Sequence, residues 1–487
     1  MNPLKHTCRG IVCGSILLLS GCVVGPNYHR PTISAPATFR GQQGAAQQTS
    51  IADLPWWEVF KDKMLQDLIR TSLTNNYDLR VAITRVEQAR QIAAQARAQY
   101  FPAINYQGAT SGGKNESFGN PVPGPGLLQG ALLTTLQSTW EADVWGRIRR
   151  LNENALAQFL ASEQGRRGVM LSLVGDMAQA YFELLELDLQ LEIAHRTTGS
   201  FDDSLRIFRQ RLEAGTASKL ETSSAEAALA STAANIPELE RKIALKENQI
   251  SVLIGANPGP ITRSSKLLEQ TLPPEVPAGL PSALLERRPD VLQAEQAVRA
   301  ANAEIGVAAA AFFPKIGLTA LLGQVSSPVA DFTSGRANVW SFAGNAAGPL
   351  YQGGALRAQK RQAIAAWDQA RLQYEQTALN AFQDVSNALI SRDKYEAIRA
   401  EQDRAVRAYR DAVSVVLQRY DAGKSSYYEV LQEQQLLFPA ENALAQTELN
   451  RRVVIVQLYR ALGGGWNLAD PDWTDPNASG TPTKPKP

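Results

Sequence analysis

Leu136-Gln137-Ser138-Thr139-Trp140-Glu141-Ala142-Asp143-Val144 sets apolar or small side chains against polar ones, residue by residue. A period of two is strand spacing, with one apolar and one polar face. Ile316, Leu318 and Ala320 repeat the pattern less regularly, as do Trp340 and Phe342, and the stretch from Ile104 to Thr110 shows it more weakly. Between these runs lie Ser111 to Gly130 and Gln324 to Asn338, full of Gly, Pro, Ser and Asn. The reading is two β-hairpins with long tip loops, at about 101–145 and about 313–351. Strands of about ten residues with alternating faces can cross a bilayer only in a closed barrel, because lipid satisfies no sheet edge. Four strands cannot close alone, since the smallest barrels use about eight. Several copies must share one barrel, and an open lumen asks for a trimer or more. No mature segment has the run of about 18 apolar residues that a membrane-crossing helix requires. A soluble, mostly helical protein with two amphipathic hairpins is the alternative.

The hairpins belong to a longer duplication. Asp78, Ala82, Val86, Phe101, Pro102 and Ile104 return 212 positions later as Asp290, Ala294, Val298, Phe313, Pro314 and Ile316. Gly146, Arg149, Asp176, Arg211, Gly215, Glu221 and Gly255 return at a spacing of 208 as Gly354, Arg357, Asp384, Arg419, Gly423, Glu429 and Gly463. The spacing changes only between Phe101 and Gly146, which places the length difference in a loop-bearing segment. Between Gly354 and Gly423 there is neither Gly nor Pro, and apolar or small residues fall at 363, 367, 370, 374, 377, 381, 385 and 388. That is one helical stripe, and such a helix is about 100 Å long. Arg147 towards Arg211 offers the same, with a break allowed at Thr197 to Ser200. Ala-Gly then stops each helix, and a second helix returns to Gly255 or Gly463, so each repeat contains a helical hairpin. Pro237 and Pro439 are expected to kink or split the returning helices. Shorter helices from roughly Lys63 to Gln99 and Pro281 to Ala311 precede the hairpins. The expected organisation is an N-terminal segment 22–62, repeats at 63–260 and 281–465, and a disordered tail at 469–487 that is rich in Pro, Asp, Thr and Gly. The fold class is mainly α with a β-barrel portion.

Residues 1–21 carry Lys5 and Arg9, an apolar run from Ile11 to Leu19, and then Leu19-Ser20-Gly21 before Cys22. That order reads as a lipoprotein signal peptide, with Cys22 as the acylated N-terminus bearing an N-acyl chain and a diacylglycerol. Val23 stands where an aspartate would resemble an inner-membrane retention signal, which favours the outer membrane. Cys8 and Cys13 leave with the signal, so no disulfide or thiol chemistry remains. Without Lys5 and Arg9 the 49 basic residues fall to 47, matching the 47 acidic ones, and a neutral chain argues against nucleic acid as a partner. His29 and His195 have no second His or Cys near them to complete a metal set. Neither G-x-S-x-G, HExxH nor a phosphate loop occurs, so no catalytic residue and no further cofactor is expected.

Several runs then resemble one family, the outer-membrane efflux factors of Gram-negative bacteria, and within it the lipidated multidrug branch (TolC-like and OprM-like, NodT group). They are Val24-Gly25-Pro26-Asn27-Tyr28, Trp56-Trp57-Glu58-Val59-Phe60, Trp140-Glu141-Ala142-Asp143-Val144-Trp145-Gly146-Arg147, Glu286-Arg287-Arg288-Pro289-Asp290-Val291, Gly348-Pro349-Leu350-Tyr351-Gln352-Gly353-Gly354 and Arg419-Tyr420-Asp421-Ala422-Gly423. The resemblance implies a homotrimer sharing one barrel of about twelve strands. It further implies a periplasmic helical tunnel and a passive exit duct, docked to a periplasmic adaptor and an inner-membrane pump of the RND type. It places a periplasmic gate just after the Ala-Gly turns, at Tyr428 and Gln432, with Leu220 and Glu221 at the corresponding level of the first repeat. The family's acidic residue is absent at Gln432, while Glu429 and Glu433 lie beside it and could supply a ring of charge. Glu221 and Glu429 are equally readable as helix-start residues. Gly215, Thr216, Gly423 and Lys424 are the implied adaptor contacts, although helix termination explains the glycines as well. The substrates stay open among drugs, solvents, metal ions and a secreted polypeptide, the last as in a type I secretion duct. A lipid-tethered periplasmic coiled coil is the competing structural reading.

Overall fold

The computed structural model describes residues 23–42, 50–114, 116–117, 120–121, 128–271, 278–326 and 336–474. The signal at 1–21, Cys22 and residues 475–487 of the expected tail lie outside the described residues. In chain order the principal elements are α1 (Lys63–Asn75), α2 (Tyr77–Ala98), β1 (Ala103–Lys114), β2 (Leu128–Ala142), α3 (Arg147–Glu213), α4 (Lys219–Ala233) and α5 (Asn235–Leu253). The second repeat supplies α6 (Pro281–Arg287), α7 (Pro289–Ala310), β3 (Lys315–Ser326), β4 (Asn338–Ala347), α8 (Ala355–Asp421) and α9 (Tyr427–Ala461). Among the described residues no helix is long and apolar enough to cross a membrane.

The residues gather into two compact units, to both of which α2, α3, α7 and α8 contribute. One unit comprises the chain up to Thr32 with Arg85–Glu163 and Gln293–Glu375. It holds an antiparallel sheet in the order β1-β2-β3-β4. The two expected hairpins therefore join edge to edge, through β2 and β3, with Leu136 opposite Leu322 and Trp140 opposite Leu318. β2 ends at Ala142 rather than Val144 because Asp143 turns to cap α3, its carboxylate accepting from the backbone N–H of Ile148 and of Arg149, each at 2.9 Å. Gly146 makes this turn with φ +78°, and the matching Gly354 leads into α8 with φ +88°.

The other unit comprises Ile33–Thr84, Gln164–Leu292 and Gln376 onward. Its helices repeat the same joints at duplicated positions. Each of the two short leading helices divides, at Asn76 and at Arg288, instead of running unbroken as the sequence suggests. Asn76 Nδ2 donates to the Leu253 carbonyl at 3.0 Å, and Arg288 Nη1 to the Ala461 carbonyl at 3.1 Å. Those acceptors are the last residues before the turns at Gly255 and Gly463. The break allowed at Thr197 to Ser200 does not occur, since α3 continues to Glu213 with Ala194, Phe201 and Leu205 buried. Burial of that face outweighs two threonines and a glycine in the helix. Of the two prolines in the returning arms, Pro237 follows a division at Ala234, whereas α9 runs on through Pro439. The chain stays ordered past Ala469: Asp470–Trp473 forms a 3-10 turn, Trp473 is buried, and its carbonyl accepts from Trp56 Nε1 at 3.2 Å. The disordered stretch expected from Ala469 thus does not hold for those residues.

Candidate functional site

Two regions carry the chemistry that the sequence singles out. The first is the outward face of the sheet. Its pairing puts Tyr106, Leu136, Leu322 and Trp340 in one row across all four strands, and Ile104, Ser138, Ala320 and Phe342 in the next. Tyr106 and Trp340 are 87% and 79% exposed, so large apolar side chains stand in register and uncovered by any of the described residues. The opposite face carries Asn105, Gln137, Leu321 and Ser341 in one row and Gln107, Thr135, Gly323 and Val339 in another. An apolar band backed by a mostly polar face is the pattern of a strand set between lipid and water. Aromatic residues collect below it: Trp145 stacks on Phe313 with ring centres 4.7 Å apart and donates Nε1 to the Pro314 carbonyl at 2.8 Å, while Trp140 Nε1 reaches the Tyr100 carbonyl at 2.9 Å. Arg147 grips Glu141 through two bonds of 2.8 Å. The Trp-Glu-Ala-Asp-Val-Trp-Gly-Arg run is thus a strand-to-helix joint in which five side chains, those of Trp140, Glu141, Asp143, Trp145 and Arg147, fix the angle.

The second region is the pair of hairpin tips. Gly215 (φ +70°) and Gly423 (φ +69°) close α3 and α8. In each, the N–H two residues beyond the cap returns to the third-last helical carbonyl: Thr216 to Arg211 and Lys424 to Arg419, both at 2.8 Å. Glycine is required there because an L side chain is strained at positive φ. The next helices open on the same Ser-x-x-Glu pattern: Ser218 and Glu221 bond reciprocally as a capping box, whereas at Ser426 only the Glu429 carboxylate closes the turn. Glu221 accepts from the Ser218 N–H at 2.7 Å. Glu429 accepts from the Ser426 N–H at 3.1 Å and from the Ser425 hydroxyl, and the serine bonds hold its carboxyl below the usual glutamate range. Both glutamates therefore serve as helix caps.

The two tips are brought together by one apolar cluster, in which Phe201, Leu205 and Phe208 of α3 and Ala225 and Ala228 of α4 meet Val416 of α8 and Tyr427, Val430 and Leu431 of α9. Phe208 lies 3.9 Å from Tyr427 and 5.6 Å from Tyr420, ring centre to ring centre, and the Arg211 guanidinium sits 4.3 Å above Tyr420. Sequence reasoning missed this cluster, although the spacing of Tyr420 and Tyr427 across the turn was a usable signal. Of the gate candidates, Tyr428 is 73% exposed and Leu220 75% exposed, with Gln432 exposed on the same helix as Tyr428. The four candidate contact residues Gly215, Thr216, Gly423 and Lys424 are also exposed. No added carbon at Gly215 or Gly423 would meet another atom within 4 Å. Behind the tips, α9 presents Gln434, Glu441 and Glu448, seven residues apart and all buried. Glu441 is held by Arg196 of α3 at 2.6 Å and Arg410 of α8 at 2.7 Å, and Glu448 by Arg399 at 2.9 Å.

The family model for outer membrane efflux proteins matches residues 68–256 and 280–464. The solvent efflux pump outer membrane protein SrpC of Pseudomonas putida is 36% identical over 462 residues, covering 93% of this chain and 98% of SrpC. The cation efflux system protein CusC of Escherichia coli is 31% identical over 459 residues, covering 92% and 97%. The solved outer-membrane channel OprN superposes with a TM-score of 0.83 at 31% identity, covering 91% of this chain and all of that one.

Proposed function

The chain belongs to the outer membrane efflux protein family, and from that premise we propose that three copies form a gated, passive exit duct. The observation that carries this is the sheet: four antiparallel strands with an exposed apolar face, of which β1 and β4 are each bonded to one neighbour only among the described residues. Open edges in lipid would leave a row of unpaired N–H and C=O groups. Pairing β1 of one copy with β4 of the next removes both edges, and three copies give a barrel of about twelve strands with a lumen. The lipid-tethered coiled coil would leave those apolar rows without a purpose.

The helical hairpins then form the periplasmic conduit, and their tips are the end that meets an adaptor and an inner-membrane pump. Opening is a shift between packed arrangements of the hairpins, driven by partner binding. Tyr428, Leu220 and Gln432 narrow the aperture, while Glu221 and Glu429 act first as caps. Gly215, Thr216, Gly423 and Lys424 form the adaptor contact. Cys22, acylated after signal removal, anchors the chain to the periplasmic leaflet. Relatives of similar coverage are named for solvents and for cations, which supports leaving substrate choice to the pump and favours small solutes over a polypeptide cargo.

The test is the mass of the detergent-purified mature protein by light scattering, followed by its conductance in planar bilayers. A trimer with small, mostly closed current steps supports the duct; a non-conducting monomer that stays soluble without its lipid overturns it. In the same bilayers Tyr428→Ala is expected to raise the leak several-fold. Unchanged conductance in a folded mutant trimer would remove Tyr428 from the gate.

A further inference from the structure

Each residue of the run Val24-Gly25-Pro26-Asn27-Tyr28 hands at least one polar group to α3, α7 or the Trp145 backbone, within a single compact unit. Val24 donates its N–H to the Trp145 carbonyl at 3.1 Å. The Arg150 guanidinium, buried on α3, reaches the Val24 carbonyl at 3.4 Å, the Gly25 carbonyl at 3.2 Å and Asn27 Oδ1 at 2.8 Å, and its remaining arm pairs with Glu153 at 2.8 Å. Asn302 of α7 donates to the Pro26 carbonyl at 3.0 Å. Tyr28 gives its hydroxyl to Glu295 at 3.2 Å, lies under Arg299, and is followed by Arg30, which pairs with the same Glu295 at 2.9 Å. Gly25 adopts φ +95°, and a methyl group there would fall 2.5 Å from Gly306 Cα. Two backbones in contact, read by a buried arginine and an asparagine, make a built cleft for this peptide.

We infer that residues 24–28 form a docked strap, locked by Arg150, which fixes the acyl chains of Cys22 at the aromatic base of the sheet. The inference deepens the reading of Cys22 as the lipid anchor and rests on it. With the Val24 N–H bonded to the Trp145 carbonyl, two residues of chain separate Cys22 from the backbone of that tryptophan, a reach of roughly 7 Å. Released as far as Arg30, the same tether would span roughly 30 Å. Trp145 and Phe313 form the stack beneath the apolar rows, and Trp is the residue that settles at the headgroup level. The strap therefore registers two membrane anchors, the sheet and the lipid, to one leaflet. Arg150 acts as a positioning residue, and the groups that touch lipid are the acyl chains and the aromatic base.

The experiment supplies cells with a diazirine-bearing fatty acid, irradiates the full chain in its membrane, and identifies by mass spectrometry the peptides joined to the acylated N-terminal peptide. The parent protein is expected to give adducts concentrated in residues 136–146 and 312–318. In Arg150→Met, and in Asn27→Ala, which removes one exposed acceptor and leaves the fold in place, that share should fall at least three-fold as adducts spread to other surfaces. Adducts already spread in the parent would overturn the strap, and an unchanged pattern in both variants would overturn the role of Arg150. An N-terminal peptide without acyl mass would overturn the lipid reading itself, and its mass separates that failure from a loose strap.

Discussion

The tips and the bases of the two helical hairpins use the same turn and set it in opposite surroundings. All four turns, at Gly215, Gly255, Gly423 and Gly463, place glycine at positive φ and return the next N–H into the helix it ends. At the tips the glycines face open space. At the bases an added methyl carbon would lie 2.6 Å from the Asn75 carbonyl oxygen at Gly255 and 3.0 Å from the Arg287 backbone at Gly463. Asn75 and Arg287 end the leading helix of their repeats, so each repeat locks its own base. One motif thus does two jobs: packed, it fixes a hairpin to its repeat, and bare, it leaves a surface free for a partner.

The largest test of that contrast is Gly255→Ala set against Gly215→Ala. Both add about 1 kcal/mol of left-handed strain, and Gly255→Ala also drives a methyl into a backbone oxygen, for a total loss of about 3 kcal/mol. Denaturant unfolding in detergent reads the difference. Equal losses at the two sites would break the distinction between base and tip.

Buried carboxylates away from the tips sharpen it further. Glu441 is buried between two arginines, whereas Glu186 of α3 is buried with an amide partner, Gln190. Burial pushes the Glu186 carboxyl up to about 7, and neither Gln190 nor Lys242 offsets it. The folded chain therefore keeps a proton that the unfolded chain releases between about pH 4.5 and 7. Stability falls through that window and levels off above it. Glu186→Gln should flatten the slope and gain about 2 kcal/mol at pH 8, with no gain near pH 4. A parent protein equally stable at pH 5 and pH 8 would contradict the assignment.

How far the sequence discloses these features depends on whether identical residues perform the repeated task. The tip glycines and the glutamates after them recur as themselves, and the turns and the glutamate caps follow from that. The base lock recurs in position only: Asn76 and Arg288 are different residues that donate to equivalent carbonyls, so a search for identities passes over them. The pairing of β2 with β3 joins strands separated by nearly a whole repeat, and no local period encodes it. The clamp on Glu441 was equally hidden, because Arg196 and Arg410 lie on two other helices. The face of the sheet was legible from Leu136 to Ala142, since a period of two is a property of one strand. At the tips the sequence drew attention to Tyr428, and its neighbour Tyr427 is the residue that holds the two hairpins together.

That neighbour offers the smallest and sharpest prediction. Tyr427 is 2% exposed, its ring is packed against Phe208, and its hydroxyl finds no hydrogen-bond partner among the described residues. Burial pushes that hydroxyl up to about 12, with Tyr420 adding to the effect. A buried hydroxyl without a partner loses its hydration and gains nothing in return. Tyr427→Phe keeps the ring and removes the cost, so it should stabilise the tip by about 0.5 to 1 kcal/mol. In hydrogen exchange this would appear as slower opening of the tip amides, with the base amides unchanged. A more tightly packed tip should also open less readily, lowering the leak that Tyr428→Ala raises. Two adjacent tyrosines would then move conductance in opposite directions, one by packing and one by exposure. A loss of stability in Tyr427→Phe would mean that the hydroxyl has a partner in the assembled protein, and the tip would have to be reread as a polar contact.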